Sequence, residues 1–157
     1  MQIDLAPLPP RTSGPPGLVI ERLDLNRYDE FRRLNAAVFG DDRVIFRTDR
    51  AHLTLLLATV EDQPVGYKVG YGESITTFYS AKGGVLDGWR RLGVARALLA
   101  RMEDEARRLG YSRFAFDTFP NKHPGMTVMG LTAGFTVTAA GYNAAYRDYR
   151  LRFERRL

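Results

Sequence analysis

The run "TTFYSAKGGVLDGWRRLGVARALLARMEDEARRLGYSRFAFDTF", Thr76 to Phe119, constrains the fold more than any other part of the chain. It opens as a strand, "TTFYSAKGGVL", and closes as another, "SRFAFDTF". Between them Ala95, Leu98, Leu99, Met102, Ala106 and Leu109 recur at spacings of three and four, one stripe of a helix that Gly110 ends. Strand, helix and strand in this order make a right-handed crossover with the two strands parallel. Glu103–Arg107 and Asp104–Arg108 read as acid-then-base pairs on its wet side.

Around this unit the pattern is that of an antiparallel sheet. "LVIERL" (Leu18 to Leu23) reads as a strand, and Asn26 as the cap of a helix carrying Tyr28, Phe31, Leu34 and Val38, with Gly40 at its stop. A short helical turn is expected near Asp49 to His52. "LTLLLATV" and "PVGYKVGYG", joined by "EDQ", form a hairpin. A second helix is expected over about Gly125 to Ala133, stopped by Gly134. The tail then gives two strands, with Tyr149, Leu151 and Phe153 alternating with Arg150, Arg152 and Glu154. The expected order is β-α-α-β-β-β-α-β-α-β-β, an α+β fold whose mixed, twisted sheet has six to seven strands and about four helices. Residues 18–157 form one domain; residues 1–17, with five of the eight prolines, form an extended arm.

The opening of the central helix is unusual. Instead of a Ser, Asp or Asn cap it has Arg90, Arg91, Leu92, Gly93, Val94 and Ala95. The first N–H groups of a helix lack internal partners and the dipole adds partial positive charge, so a phosphate satisfies both. Gly93 permits close approach and the arginines add charge. Read alone, "RxxGxA" is equally a tight strand-to-helix turn; its place at the centre of a crossover, after the glycine pair Gly83–Gly84, favours an anion site. Glycines inside a strand mark a bulge or a close approach of backbone or ligand.

Composition removes several classes. There is no cysteine, hence no disulfide, thiolate metal site or cysteinyl intermediate, and His52 and His123 are too few for a zinc site. The expectation is chemistry without a metal. A net charge of +5 allows nucleic acid or a small polyanion, but the basic residues are scattered among acidic ones and no aromatic-basic signature accompanies them. Nucleic acid is not expected as a partner. The N-terminus lacks a secretory pattern and "LLLA" is far short of a membrane span, so no membrane association and a cytoplasmic location are expected.

The motif Arg90-Arg91-Leu92-Gly93-Val94-Ala95 matches Q/R-x-x-G-x-G/A, and with the element order over residues 18–157 the chain resembles the GNAT superfamily of acyl-CoA-dependent N-acetyltransferases. "TAGF", ending at Gly134-Phe135, is similar to that superfamily's signature after its last helix. The run "FYSAKGGV…RRLGVA…T…M…GF" is especially like a bacterial subgroup of undefined acceptor.

The resemblance implies transfer of an acetyl group from acetyl-CoA to a primary amine on a small molecule or peptide. Without cysteine, the transfer is direct, in a ternary complex. It implies that Val85 and Leu86 meet the pantetheine, the Val85 N–H polarising the thioester carbonyl. Arg90 to Ala95 (with Leu92, Gly93 and Val94 between) would hold the pyrophosphate, with Arg96 an outer candidate. Asn121 and His123 stand equally as the residue that bonds the pantetheine. Where the family often carries a tyrosine that protonates the leaving thiolate, this chain has Gly130; Tyr79, Tyr142 and His123 are the substitutes on offer. Asp117, at the C-terminal end of a strand, and Glu73, ahead of the bulged strand, are the candidate bases.

Other residues have plainer readings. Trp89 reads as packing over the helix start rather than stacking on the adenine, Met126 and Met129 as lining the core or the acyl channel, and the tail arginines as edge-strand protection. A homodimer through the tail strands or the proline arm is a further expectation. A rival reading, encouraged by Gly130, is a catalytically weak acyl-CoA sensor or scaffold.

Overall fold

The structure, a computed structural model, describes residues 14–157; the remainder of the proline-rich arm lies outside the described residues. Seven strands form one sheet: β1 (Leu18–Leu23), β2 (Thr54–Val60), β3 (Gln63–Gly72), β4 (Thr77–Val85), β5 (Arg113–Thr118), β6 (Thr136–Asn143) and β7 (Asp148–Arg156). Three α-helices cover it: α1 (Tyr28–Phe39), α2 (Val94–Arg108) and α3 (Pro124–Thr132). The spatial order is β1-β2-β3-β4-β5-β7-β6, with only β4 and β5 parallel, the junction that the α2 crossover builds.

The sheet buries both faces at its centre, which is why β2 is a continuous apolar run rather than an alternating one. Leu56, Ala58 and Val60 face α2 with Phe78, Phe114 and Phe116; Leu55 and Leu57 face α1 with Phe31, Tyr67 and Val69. A polar link crosses the second layer. The Tyr67 hydroxyl donates to Asn35 Oδ1, and Asn35 Nδ2 donates to the Asp41 carbonyl at 2.6 Å. Asn35 is fully buried, so this link fastens the segment after α1 to the sheet.

The β2–β3 hairpin turns on Glu61 and Asp62, both with positive φ (49° and 63°), the geometry that suits a right-twisted two-residue loop. Gly40 and Gly134 close α1 and α3 in the same left-handed region (φ 81° and 85°).

Several expectations are corrected. Residues 49–52 form no helix: Arg47 pairs with Asp49 at 2.7 Å and the chain turns at His52 (φ 51°), leaving three α-helices among the described residues instead of about four. Asn26 does not cap α1; it lies in a single 3-10 turn, Leu25–Arg27, that runs into the helix without a side-chain cap. Glu103 is not on the wet side of α2. It is 3% exposed and pairs with Arg155 of β7, because it borders the Leu99–Met102–Ala106 stripe; Arg107 and Arg108 pair instead with Asp104 and Glu105. The tail arginines protect no edge, since β7 lies between β5 and β6.

Candidate functional site

The site begins where the parallel pair fails. β4 pairs with β5 only from Thr77 to Ser80, opposite Arg113 to Phe116. On its other side β4 skips a residue: Gly70 pairs with Ser80 and Val69 with Lys82, so Ala81 is the bulged residue. Beyond it, Ala81 to Val85 keep β3 as their only neighbour, while Asp117 and Thr118 of β5 continue with β7. The backbone edges of β4 and β5 therefore part into a cleft, and an extended amide-bearing chain is what such an edge can pair with. Thr118 Oγ1 is buried here without a hydrogen bond.

The bulge falls at Ala81 and not at the glycine pair. Gly83 and Gly84 serve close packing: a Cβ on Gly84 would stand 3.1 to 3.2 Å from Val38, Phe39 and Tyr67, and one on Gly83 3.2 Å from the Tyr67 carbonyl.

The cleft leads to the start of α2. After Leu86 the chain makes a 3-10 turn, Asp87–Trp89, and then places Arg91 (φ 61°) and Gly93 (φ 89°) in the left-handed region. Alternating handedness of this kind turns successive N–H groups inward as a nest for an anion. No side chain caps α2 and no acidic residue occupies its first turn. Val85, Leu86 and the run Arg90 to Ala95 thus lie along one path from the end of β4 into α2. Arg90 folds back, its Nε donating to the Val85 carbonyl at 3.2 Å and its Nη1 pairing with Asp87 at 3.0 Å. Arg96 points to α3, where its Nη2 donates to Thr132 Oγ1 at 3.2 Å.

Asn121 and His123 stand in different surroundings. Asn121 spends its amide on Asp148 Oδ1 (2.9 Å); that bond, with the Tyr149 N–H, holds the Asp148 carboxyl below its usual range. His123 begins α3 with its ring against Phe39 (6.1 Å). Burial lowers its pKa, and the nearby Lys82, Lys122 and Arg90 lower it further, so the imidazole is neutral near pH 7.

On the α1 side of the cleft lies a pocket of about 570 Å³, walled by residues 41–47 and Arg50, by Tyr71, Tyr79, Ala81 and Lys82, and by Tyr146. Tyr79, in its wall, donates its hydroxyl to Asp117 Oδ2 at 2.8 Å. Burial, and then the Asp117 charge, push the Tyr79 phenol well above its ordinary pKa. Asp117 Oδ1 is buried and makes no hydrogen bond, while Arg150 and Arg152 approach the carboxylate at 3.8 and 4.0 Å. Glu73 is held by Arg152 through two contacts, one of 3.0 Å from Nη1 to Oε1. Tyr142, on the outermost strand, packs on Tyr149 (5.4 Å) and lines no part of the pocket.

Sequence reasoning missed the wall at residues 41–50 and the Arg150–Arg152 clamp. The clamp was within reach: both residues alternate with Leu151 and Phe153, and only the register that sets Arg152 opposite Asp117 was lacking.

At Gly130 the missing tyrosine has a steric cause. A Cβ there would lie 2.8 Å from the Phe116 ring and 3.1 Å from Phe153, the two rings being stacked at 5.0 Å. Glycine lets α3 settle onto that stack.

Comparison with known proteins agrees with this geometry. The Acetyltransferase (GNAT) family model matches residues 21–129. Among solved structures, the chain is similar to an IAA acetyltransferase from Bacillus cereus ATCC 14579 (TM-score 0.74, 15% identity, covering 89% of this chain and 99% of that one). It is also similar to a GNAT family acetyltransferase from Elizabethkingia anophelis with acetyl-CoA bound (TM-score 0.73, 16% identity, covering 91% and 100%). A third is the ribosomal-protein-S18-alanine N-acetyltransferase of Escherichia coli (TM-score 0.71, 12% identity, covering 88% and 93%). No curated protein matches the chain in sequence. The mixed seven-stranded sheet, its parting strands and the uncapped central helix define an acyltransferase fold. The chain belongs to the GNAT acetyltransferase family.

Proposed function

We propose that residues 18–157 act as one catalytic domain that transfers an acetyl group from acetyl-CoA to a primary amine, by direct attack in a ternary complex. The observation that carries this reading is the parting of β4 from β5 at Ala81, which leads along a free strand edge to the uncapped start of α2.

In this reading the pantetheine pairs with the Ala81–Val85 edge, with Val85 and Leu86 at its outer end. An N–H of that edge donates to the thioester carbonyl, where negative charge develops during attack. The pyrophosphate takes the amides from Arg90 to Ala95 and the charge of Arg91. Arg90 swings from Asp87, a pair too exposed to resist. His123 faces the pantetheine from α3, Asn121 being engaged elsewhere.

The amine enters from the pocket. Its nitrogen bonds to the acetyl carbon, the carbon–sulfur bond breaks, and sulfur keeps the electron pair. The proton passes to Asp117, directly or through the Tyr79 hydroxyl, which already donates to Asp117. Tyr79 stays protonated throughout, so it relays and does not itself act as the base. Glu73 steadies Arg152 beside Asp117 and is a positioning residue. No acid stands at Gly130; CoA leaves as the thiolate, a better leaving group than the nitrogen once that nitrogen has given up its proton.

The absent acid also favours a second reading, an acyl-CoA-binding sensor with weak turnover. Calorimetric titration with acetyl-CoA, followed by CoA-thiol release with a panel of amines, distinguishes the two. Saturable 1:1 binding with turnover supports the transferase; binding without turnover supports the sensor; no binding removes both. The acetyl-CoA requirement suits a cytoplasmic site of action, and no helix among the described residues is long and apolar enough to cross a membrane.

A further inference from the structure

The pocket wall carries charge that the transfer chemistry does not use. Four cationic side chains line it, Arg43, Arg47, Arg50 and Lys82, against two carboxylates, Asp41 and Asp42. The carboxylates are already occupied. Asp42 pairs with Arg32 at 2.5 Å, and Asp41 Oδ1 accepts the backbone N–H of Arg43 at 2.9 Å. Arg47 is neutralised by Asp49.

Arg43, Arg50 and Lys82 remain, and among the described residues none of them makes an ion pair. Each stacks instead on an aromatic ring: Arg43 on Phe46 at 5.3 Å, Arg50 on Tyr71 at 4.8 Å, Lys82 on Phe39 at 4.5 Å. Stacking fixes a guanidinium by its face and leaves its N–H edge open, the edge that takes a carboxylate or phosphate in a bidentate grip. The rings also set the distance to the chemistry. Tyr71, under Arg50, packs on Tyr79 at 5.7 Å, and Tyr79 donates to Asp117. The pocket thus offers cations that form no ion pair among the described residues, and the carboxylate that would receive an amine proton lies just behind its Tyr79 wall.

We propose that the acceptor is a small molecule bearing an anionic group, carboxylate or phosphate, in addition to its amine, and that Arg50, with Arg43 and Lys82, reads that group. This rests on the acetyl-CoA reading above. An anion held against Arg50 leaves the amine to reach toward Asp117, so the two charges of the acceptor meet opposite charges at opposite ends. A neutral amine would gain only the second contact.

The test uses the full chain with acetyl-CoA and measures CoA-thiol release for amines paired with their anionic counterparts. The pairs are linear alkylamines with ω-amino acids of graded length, phenethylamine with phenylalanine, and ethanolamine with its phosphate ester. At least one anionic member should exceed its neutral partner by about tenfold or more in kcat/KM, the fold-change one charge-assisted contact supplies. The carboxylate and phosphate pairs show which group is read. For the preferred acceptor, Arg50→Ala should raise KM by about tenfold, with Arg50→Lys recovering only part because a point charge replaces a fork. If acetyl-CoA binds saturably but neutral amines serve as well as anionic ones, or no anionic amine is used, the pocket proposal is overturned and the acetyl-CoA reading stands. Loss of acetyl-CoA binding itself would overturn that reading first, and this one with it.

Discussion

Tyr79 and Asp117 belong to neighbouring parallel strands, and the 2.8 Å hydrogen bond between them spans the point where those strands stop pairing. The main-chain ladder ends at Ser80 and Phe116; the next link between β4 and β5 is this pair of side chains. The bond ties the carboxylate to a wall residue of the pocket, and Arg150 and Arg152 approach it at 3.8 and 4.0 Å.

Asp117→Asn should therefore lower kcat at neutral pH by about 10²–10⁴, the range for loss of a positioned acid or base. Acetyl-CoA affinity should not change, because the proposed mechanism puts Asp117 on the acceptor side. Tyr79→Phe should cost less, since a water can carry the proton, and the double variant should lose little beyond Asp117→Asn alone. Steady-state kinetics on the three variants, with calorimetry for acetyl-CoA, decide it; an unchanged rate in Asp117→Asn assigns the base elsewhere.

Gly93→Glu should abolish acetyl-CoA binding while the protein stays folded. The substitution sets a carboxylate where the proposal puts the pyrophosphate, and a side chain where φ is 89°. Gly93→Ala separates the two effects: it carries the left-handed strain alone, about 1–2 kcal/mol, and should retain binding. Circular dichroism with calorimetry checks both. Normal acetyl-CoA affinity in folded Gly93→Glu would remove α2 from the site.

The parts of this site that the sequence displayed are those built from neighbours in the chain. The crossover, the Glu61–Asp62 turn and the Arg90–Ala95 loop each depend on local backbone geometry, and local residue choice records it. What stayed hidden depends on register between distant segments. Arg152 lies opposite Asp117 only because β7 inserts beside β5, and nothing within "YRLRFERR" says which strand it will meet. Glu103 looked solvated because a glutamate four residues before an arginine usually is; its partner Arg155 comes from 52 residues away. The pocket wall at residues 41–50 has no periodicity to read. It is held by the Asn35–Tyr67 link and by ion pairs, which become visible only in three dimensions.

Gly130→Tyr should not restore a general acid. The Cβ alone would stand 2.8 Å from Phe116, so α3 must lift from the Phe116–Phe153 stack. Overpacking of this kind costs about 1–3 kcal/mol, and the predicted result is a lower unfolding temperature without faster turnover. Thermal unfolding followed by circular dichroism, alongside thiol release, checks it. A faster enzyme of unchanged stability would mean that α3 yields more easily than its packing implies.

Lys68 gives a prediction about pH. It lies buried in β3 (6% exposed), and burial lowers its pKa from 10.5 to about 8 despite the attraction of Glu103. Its unfolded value is the ordinary one, so between about pH 8 and 10.5 the unfolded chain binds the extra proton. Burial of the ammonium is then a full penalty below pH 8, relieved as pH rises through that window. The relief is on the order of 3 kcal/mol for a shift of this size. Other groups titrate in the same range, so the test is a difference. Lys68→Met should be more stable than the parent at pH 7, and the advantage should shrink steadily toward pH 10.5 as the parent lysine loses its charge. Urea unfolding of both proteins across the window measures it. A constant difference would mean that Lys68 keeps its proton in the fold, sustained by Glu103 more strongly than burial opposes it.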